Sequence, residues 1–181
     1  DPFKIIGRTK GPILSPEEPY ELAGYIPNIV FPSGAILNKK ELSIYYGAAD
    51  TSVGKASVNL DDLINSISPG TKEAYTFKRY EGNPIIEPNM NHTWESLATF
   101  NPAAINIKGI TYILYRAMSK DNTSTVGFAT SKDGFTIDER LPDPIYVPRE
   151  DFEMKKVENG NSGCEDPRLV KIKDTIYMYY S

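Results

Sequence analysis

Residues Gly163-Cys164-Glu165-Asp166-Pro167-Arg168 set two carboxylates, a guanidinium and a rigid proline between a glycine and an apolar segment. Adjacent carboxylates repel each other and cost free energy when desolvated, so a Glu-Asp pair at the start of a strand points to a place where charge is used. Two readings stand side by side. In one, Asp166 caps a turn and Arg168 neutralises it; in the other, a carboxyl group does acid-base work. Other chemistries are poorly provided for. His92, the sole histidine, reads as a loop residue beside Asn91 and Thr93, which gives a Ser-His-Asp relay no context. One histidine and one cysteine make no zinc ligand set, no glycine-rich phosphate loop follows a strand and opens a helix, and Cys164 reads as a small apolar filler. Carboxylates remain as acid and base, and glycosidic bond cleavage is the reaction that uses them without a cofactor.

Such groups need a scaffold, and the sequence reads as strands almost throughout. Leu42–Tyr46, Thr111–Tyr115 and Thr175–Tyr179 are short Tyr- and Ile-rich segments bounded by polar or glycine-bearing turns, suited to a pleated surface. Asp133-Gly134, between Val126–Thr130 and Phe135–Ile137, predicts a tight hairpin. Leu60–Ile64 is the best helical candidate and is a turn or two at most. A phrase ending in an apolar strand recurs at Gly34 to Tyr46, Pro102 to Tyr115 and Pro167 to Tyr180. A second recurs at Gly11–Pro16, Gly82–Pro88 and Asp143–Pro148, as if each unit opened with the same edge turn. Repeated sheet units of this length predict an all-β propeller rather than a sandwich. Inner strands of a propeller converge on a central channel. The same end of that channel would then gather Asn101 and Asp166, each before a proline, with Arg116 and Asp50.

The 181 residues are enough for one domain with a real core. The net charge of -4 and scattered basic residues imply neither nucleic acid nor an anionic membrane as partner. A single cysteine excludes an intrachain disulfide, no apolar run approaches a membrane span, and the absence of a secretory pattern fits a cytoplasmic protein.

The phrases Glu81-Gly-Asn-Pro-Ile-Ile86, Thr99-Phe-Asn-Pro-Ala-Ala104, Leu114-Tyr-Arg-Ala117, Ala129-Thr-Ser-Lys-Asp-Gly134 and Gly163-Cys-Glu-Asp-Pro-Arg168, in that order, resemble the first part of glycoside hydrolase family 130. The resemblance implies a five-bladed β-propeller acting on β-mannosides. It implies phosphorolysis to mannose 1-phosphate with inversion, or hydrolysis in the family's exo-β-mannosidases. It also implies no cofactor, with inorganic phosphate as co-substrate of a phosphorylase. Carried over position by position, Asp166 matches the proton donor, which in the phosphorylases acts through the sugar's own 3-hydroxyl. Asn101 and Arg116 match residues that hold the mannosyl unit, Asp50 joins them, and Glu165 supports Arg168 or the substrate.

Order along the chain departs from the family. Phe31–Gly34, Ile44–Asp50 and Leu60–Leu63 resemble the end of a family member, yet they precede the segments that resemble its beginning. Residues 1–65 therefore read as a blade like the family's C-terminal segment and 66–181 as blades like its N-terminal half. Together they form one incomplete propeller of about three blades. A junction of tandem copies, a circular permutation and a piece of a longer protein all fit this order. The family's phosphate ligands lie in segments that the resemblance does not cover, so the sequence leaves phosphorolysis, hydrolysis and sugar binding without turnover all open. An open arc also predicts a ring-completing partner or homo-oligomer and an inactive isolated chain.

Overall fold

The computed structural model describes residues 3–5, 7–67, 75–158 and 160–181. Two antiparallel meanders and the start of a third make up the fold. The first sheet runs β1 (Val30–Asn38), β2 (Glu41–Ala48), β3 (Ser52–Asn59), β4 (Lys78–Arg79). The second runs β5 (Ala98–Ile107), β6 (Ile110–Met118), β7 (Thr123–Ser131), β8 (Glu139–Arg140), with β9 (Ser162–Gly163) lying parallel along β7. The third pairs β10 (Arg168–Ile172) with β11 (Thr175–Tyr179). First strands β1, β5 and β10 are the inner ones, and β5 packs against both of the others. All three expected Tyr-rich strands are present as β2, β6 and β11. The short helical candidate is α2 (Leu60–Ser66), and one further turn, α1 (Pro19–Leu22), opens the first blade.

Period-two alternation explains why the sheets stack as blades. On β2, Ile44, Tyr46 and Ala48 pack with Ala56 and Phe77, while Tyr45 turns to the opposite face and meets Ile113, Tyr115 and Ala117 of β6. The other face of the second sheet offers Leu114 and Val126 to Cys164, Leu169, Met178 and Tyr180. Tyr45 and Tyr115 are 1% and 0% exposed, and burying each contributes about 2 kcal/mol or more. The face of the third sheet turned away from the second carries Val170, Tyr177 and Tyr179, all exposed.

Two expectations are corrected. β7 pairs through Ala129 and Thr130 with Arg140 and Glu139, not with residues 135–137. Asp133 is the reason: its Oδ1 accepts the N–H groups of Phe135 and Thr136, which removes them from a ladder, and the Phe135 ring packs at a tilt against Tyr80. The Pro-Ile phrases do more than open a unit. Ile86 bridges to Val53 of β3, and Tyr146 to Val126 of β7, so the second and third phrases each fasten onto the third strand of the preceding blade. The first blade also takes its outer strand β4 from beyond residue 65.

A buried glutamate–tyrosine cluster recurs in all three blades, with an arginine in the first two, and the sequence analysis missed it. Glu21, Glu95 and Glu153 are 0%, 0% and 2% exposed. Each accepts a tyrosine hydroxyl from the second strand of its blade or the residue just after it: Tyr46 at 2.8 Å, Tyr115 at 2.8 Å, and Tyr180. Outer strands supply the cation in the first two blades, with Arg79 Nε 2.8 Å from Glu21 and Arg140 Nη2 2.6 Å from Glu95. Glu21 and Glu153 also take two backbone N–H groups of their own turn, from Glu17 and Glu18 and from Arg149 and Glu150. Burial alone would raise the Glu21 carboxyl, but Arg79, these N–H groups and Tyr46 together hold it below the usual range. For Glu153, burial is likewise outweighed by Tyr180, its two N–H donors and Tyr146, which bring the carboxyl to about 2.

Candidate active site

The site lies where the inner strands begin and the second strands end. Register breaks between Pro32 and Gly34 in β1 and between Phe100 and Ala103 in β5 insert extra residues at the same level of two blades. Asn101, within the second bulge, and Asp166, just before β10, have φ of 47° and 49°, a left-handed conformation that Asn and Asp tolerate better than most residues. Asp50, in the turn after β2, has φ 47°. Backbone held this way costs about 1–3 kcal/mol per residue and is found where surrounding structure fixes a functional group.

Four of the expected side chains meet directly. Asn101 Nδ2 donates to Asp166 Oδ1 at 2.9 Å, and Arg116 Nη1 lies 3.5 Å from the same oxygen. Arg116 Nη2 is 2.8 Å from Glu165 Oε1. Glu165 is therefore paired with Arg116 rather than Arg168. Arg168 stands 4.0 Å from Asp166 Oδ2 and donates to the Pro167 carbonyl at 2.9 Å. Asp50 makes no direct contact with these groups, but its carboxyl feels them: burial raises it above the ordinary range, Arg116 opposes this and Asp166 adds to it. Glu165 is raised by the same three influences in the same order. Arg116 is 8% exposed and Asn101 6%, so the polar floor of the site is largely withdrawn from water.

Supporting residues were invisible in the sequence. The Arg116 guanidinium lies over the Phe100 ring at 4.8 Å, and its Nε donates to Ser124 Oγ at 2.9 Å. Gly47 occupies in the first blade the register position that Arg116 holds in the second, opposite Phe31 as Arg116 is opposite Phe100. A Cβ at Gly47 would lie 2.7 Å from Asn101 Oδ1, so only glycine leaves room for Asn101 there. That Oδ1 is buried and has no hydrogen-bond partner among the described residues. Cys164 is fully buried with its thiol pushed up to about 12 by burial and by Glu153, and His92 Nδ1 lies 2.7 Å from Glu95 Oε1, in the ionic cluster. Among the described residues no three His, Cys, Asp or Glu side chains are grouped to hold a metal ion.

The sequence profile of glycoside hydrolase family 130, described as beta-1,4-mannooligosaccharide phosphorylase, matches residues 1–68 and 73–181. The chain belongs to that family. Among curated relatives of this family 130 chain, a 1,2-beta-oligomannan phosphorylase of Thermoanaerobacter sp. (strain X514) is 46% identical over 63 residues, 35% of this chain and 21% of the relative. A beta-1,2-mannobiose phosphorylase of Listeria innocua is 36% identical over 72 residues, 40% of this chain and 20% of the relative. These matches span about a fifth of the relatives' length. Solved structures show the fold. A Bombyx mori GH32 beta-fructofuranosidase superposes with a TM-score of 0.56 at 18% identity, over 86% of this chain and 31% of that one. A GH43 enzyme of Xanthomonas citri gives 0.54 at 15% identity, over 87% and 41%. The family 130 chain is thus part of a β-propeller of the five-bladed type, and among its described residues no helix is long and apolar enough to cross a membrane.

Proposed function

We propose that the protein is a β-mannoside phosphorylase that cleaves β-manno-oligosaccharides by inverting phosphorolysis and releases mannose 1-phosphate. Asp166 is the proton donor, and Asn101, Arg116, Asp50, Glu165 and Arg168 surround the mannosyl unit. The observation that carries this reading is the way Asp166 is held. Its Oδ1 is fixed by Asn101 at 2.9 Å and approached by Arg116 at 3.5 Å, while among the described residues Oδ2 has only Arg168, at 4.0 Å, and is left to face a substrate hydroxyl. Membership of family 130 and relatives named as phosphorylases support the choice of mannoside and of phosphorolysis.

We read residues 1–65 as the family's C-terminal segment and the remainder as its N-terminal half, on the order of the phrases along the chain. Three carboxylates against two guanidinium groups would not attract a phosphate. The co-substrate needs fixed positive donors from the remaining wall of the ring.

Product analysis in the protein at its full natural length tests the proposal. Mannobiose incubated with phosphate should yield mannose 1-phosphate, and without phosphate little free mannose; Asp166→Asn should abolish both. Free mannose at equal rates in both incubations would establish hydrolysis instead. Near wild-type turnover by Asp166→Asn would remove Asp166 from its role.

A further inference from the structure

Arg116 is the hub of the site, and its orientation is set from behind. A guanidinium is planar, so fixing its Nε–H direction fixes where the other N–H bonds point. Here Nε donates to Ser124 Oγ at 2.9 Å, while Nη2 reaches Glu165 at 2.8 Å and Nη1 lies 3.5 Å from Asp166. Phe100 covers one face of the group. The ring restricts tilt, but nothing in that contact selects rotation within the guanidinium plane; the Ser124 hydroxyl does.

Ser124 also touches the acid-bearing loop itself. It is 0% exposed, sits opposite Gly163 in the parallel pairing of β7 with β9, and its carbonyl accepts the Cys164 N–H at 3.0 Å. Gly163 has φ 105°, and a Cβ there would lie 2.1 Å from the Ser124 carbonyl oxygen, so the two backbones are in direct contact. One residue therefore fixes both the guanidinium and the strand that leads into Glu165 and Asp166. We propose that Ser124 is the positioning residue that sets the Glu165–Arg116–Asp166 geometry, its hydroxyl aiming Arg116 and its backbone anchoring the loop that Arg116 grips. The consequence for turnover rests on the proposed function; the geometric claim does not.

Nuclear magnetic resonance on the 181-residue chain tests the geometry without any substrate. In the unsubstituted chain the Arg116 Nε–H should exchange with solvent more slowly than that of exposed Arg149. In Ser124→Ala it should exchange faster. The Glu165 carboxyl, identified by its disappearance in Glu165→Gln, should titrate at higher pH once Arg116 is no longer aimed at it. Ser124→Thr, which keeps the hydroxyl, should restore both. A rapidly exchanging Arg116 Nε–H in the unsubstituted chain overturns the inference even if Ser124→Ala does not fold. So does an unchanged Glu165 titration in a folded Ser124→Ala. In the full-length enzyme, Ser124→Ala should lower kcat/KM on the order of tenfold to a hundredfold, mostly through kcat, as expected for displacement of a catalytic group by part of an ångström. Inactive Asp166→Asn beside wild-type Ser124→Ala would refute the positioning role and spare the functional reading. Active Asp166→Asn would reject the functional reading, while the exchange and titration results still decide the geometry.

Discussion

Replacing Glu95 should injure the fold far more than its single charge implies. The carboxylate is 0% exposed and accepts from Arg140 Nη2 at 2.6 Å and Tyr115 Oη at 2.8 Å, with His92 Nδ1 at 2.7 Å. Glu95→Ala leaves a guanidinium whose side chain is 22% exposed without its counter-ion, and a fully buried hydroxyl without its acceptor. Breaking one partner out of a buried pair costs about 3–5 kcal/mol. Arg140 keeps the Glu87 carbonyl at 2.8 Å and the Tyr115 oxygen at 3.0 Å, which places the loss near the lower end, about 3 kcal/mol. At this chain length that is a fall in Tm of about 6–12 °C. Glu95→Gln keeps the shape and one acceptor oxygen and should cost about 1–2 kcal/mol. Urea unfolding of both variants, beside Lys132→Ala from the exposed end of the Lys132–Asp138 pair as a control, measures the difference. If Glu95→Ala unfolds within about 0.5 kcal/mol of the control, the cluster does not hold the blade and the reasoning fails.

Acid should loosen the blades in a defined window. Glu21 is depressed and Glu153 lies at about 2, so their contribution is complete above the unfolded carboxylate value of about 4.3 and is lost as pH falls toward the folded values. Melting temperature followed from pH 6 to pH 2 should therefore drop steeply below about pH 4, and a flat profile there would contradict it. Asp50 carries the opposite sign: its raised carboxyl weakens the fold once ionised, so Asp50→Asn should raise Tm at pH 7 and converge with the parent at low pH. A lower Tm at pH 7 would show that Asp50 is held by partners rather than burdened by burial. Gly163→Ala should cost more than about 1 kcal/mol, because it combines a left-handed φ with a Cβ 2.1 Å from the Ser124 oxygen; an unchanged Tm would refute the close approach.

The meeting of Asn101 and Asp166 was legible because chemistry and repeat phase coincided. Asn101 and Asp166 each stand before a proline at the head of an apolar strand, and a propeller brings such heads together. The partner of Glu165 was not legible, since choosing between Arg116 and Arg168 depends on side-chain direction across two sheets. The ionic clusters escaped for another reason. Glutamates are ordinarily read as surface residues, and the arginines that neutralise Glu21 and Glu95 lie 58 and 45 positions away. A signal was present nonetheless: Tyr20-Glu21, Trp94-Glu95 and Phe152-Glu153 each follow the proline that closes a Pro-Ile phrase by a few residues. The Asp133-Gly134 hairpin was misread because an aspartate that can cap two N–H groups competes with the ladder that a tight turn would start.

Each Glu–Arg pair also closes a loop. Glu21 precedes the first strand of its blade and Arg79 sits in the last, so the pair clasps the meander end to end, as Glu95 and Arg140 do in the next. In a chain with one cysteine, these contacts do the work that a disulfide does elsewhere in joining distant parts of a sheet. The clasp differs in what opens it. A reductant leaves it untouched, whereas acid that protonates Glu21 releases the clasp of the first blade.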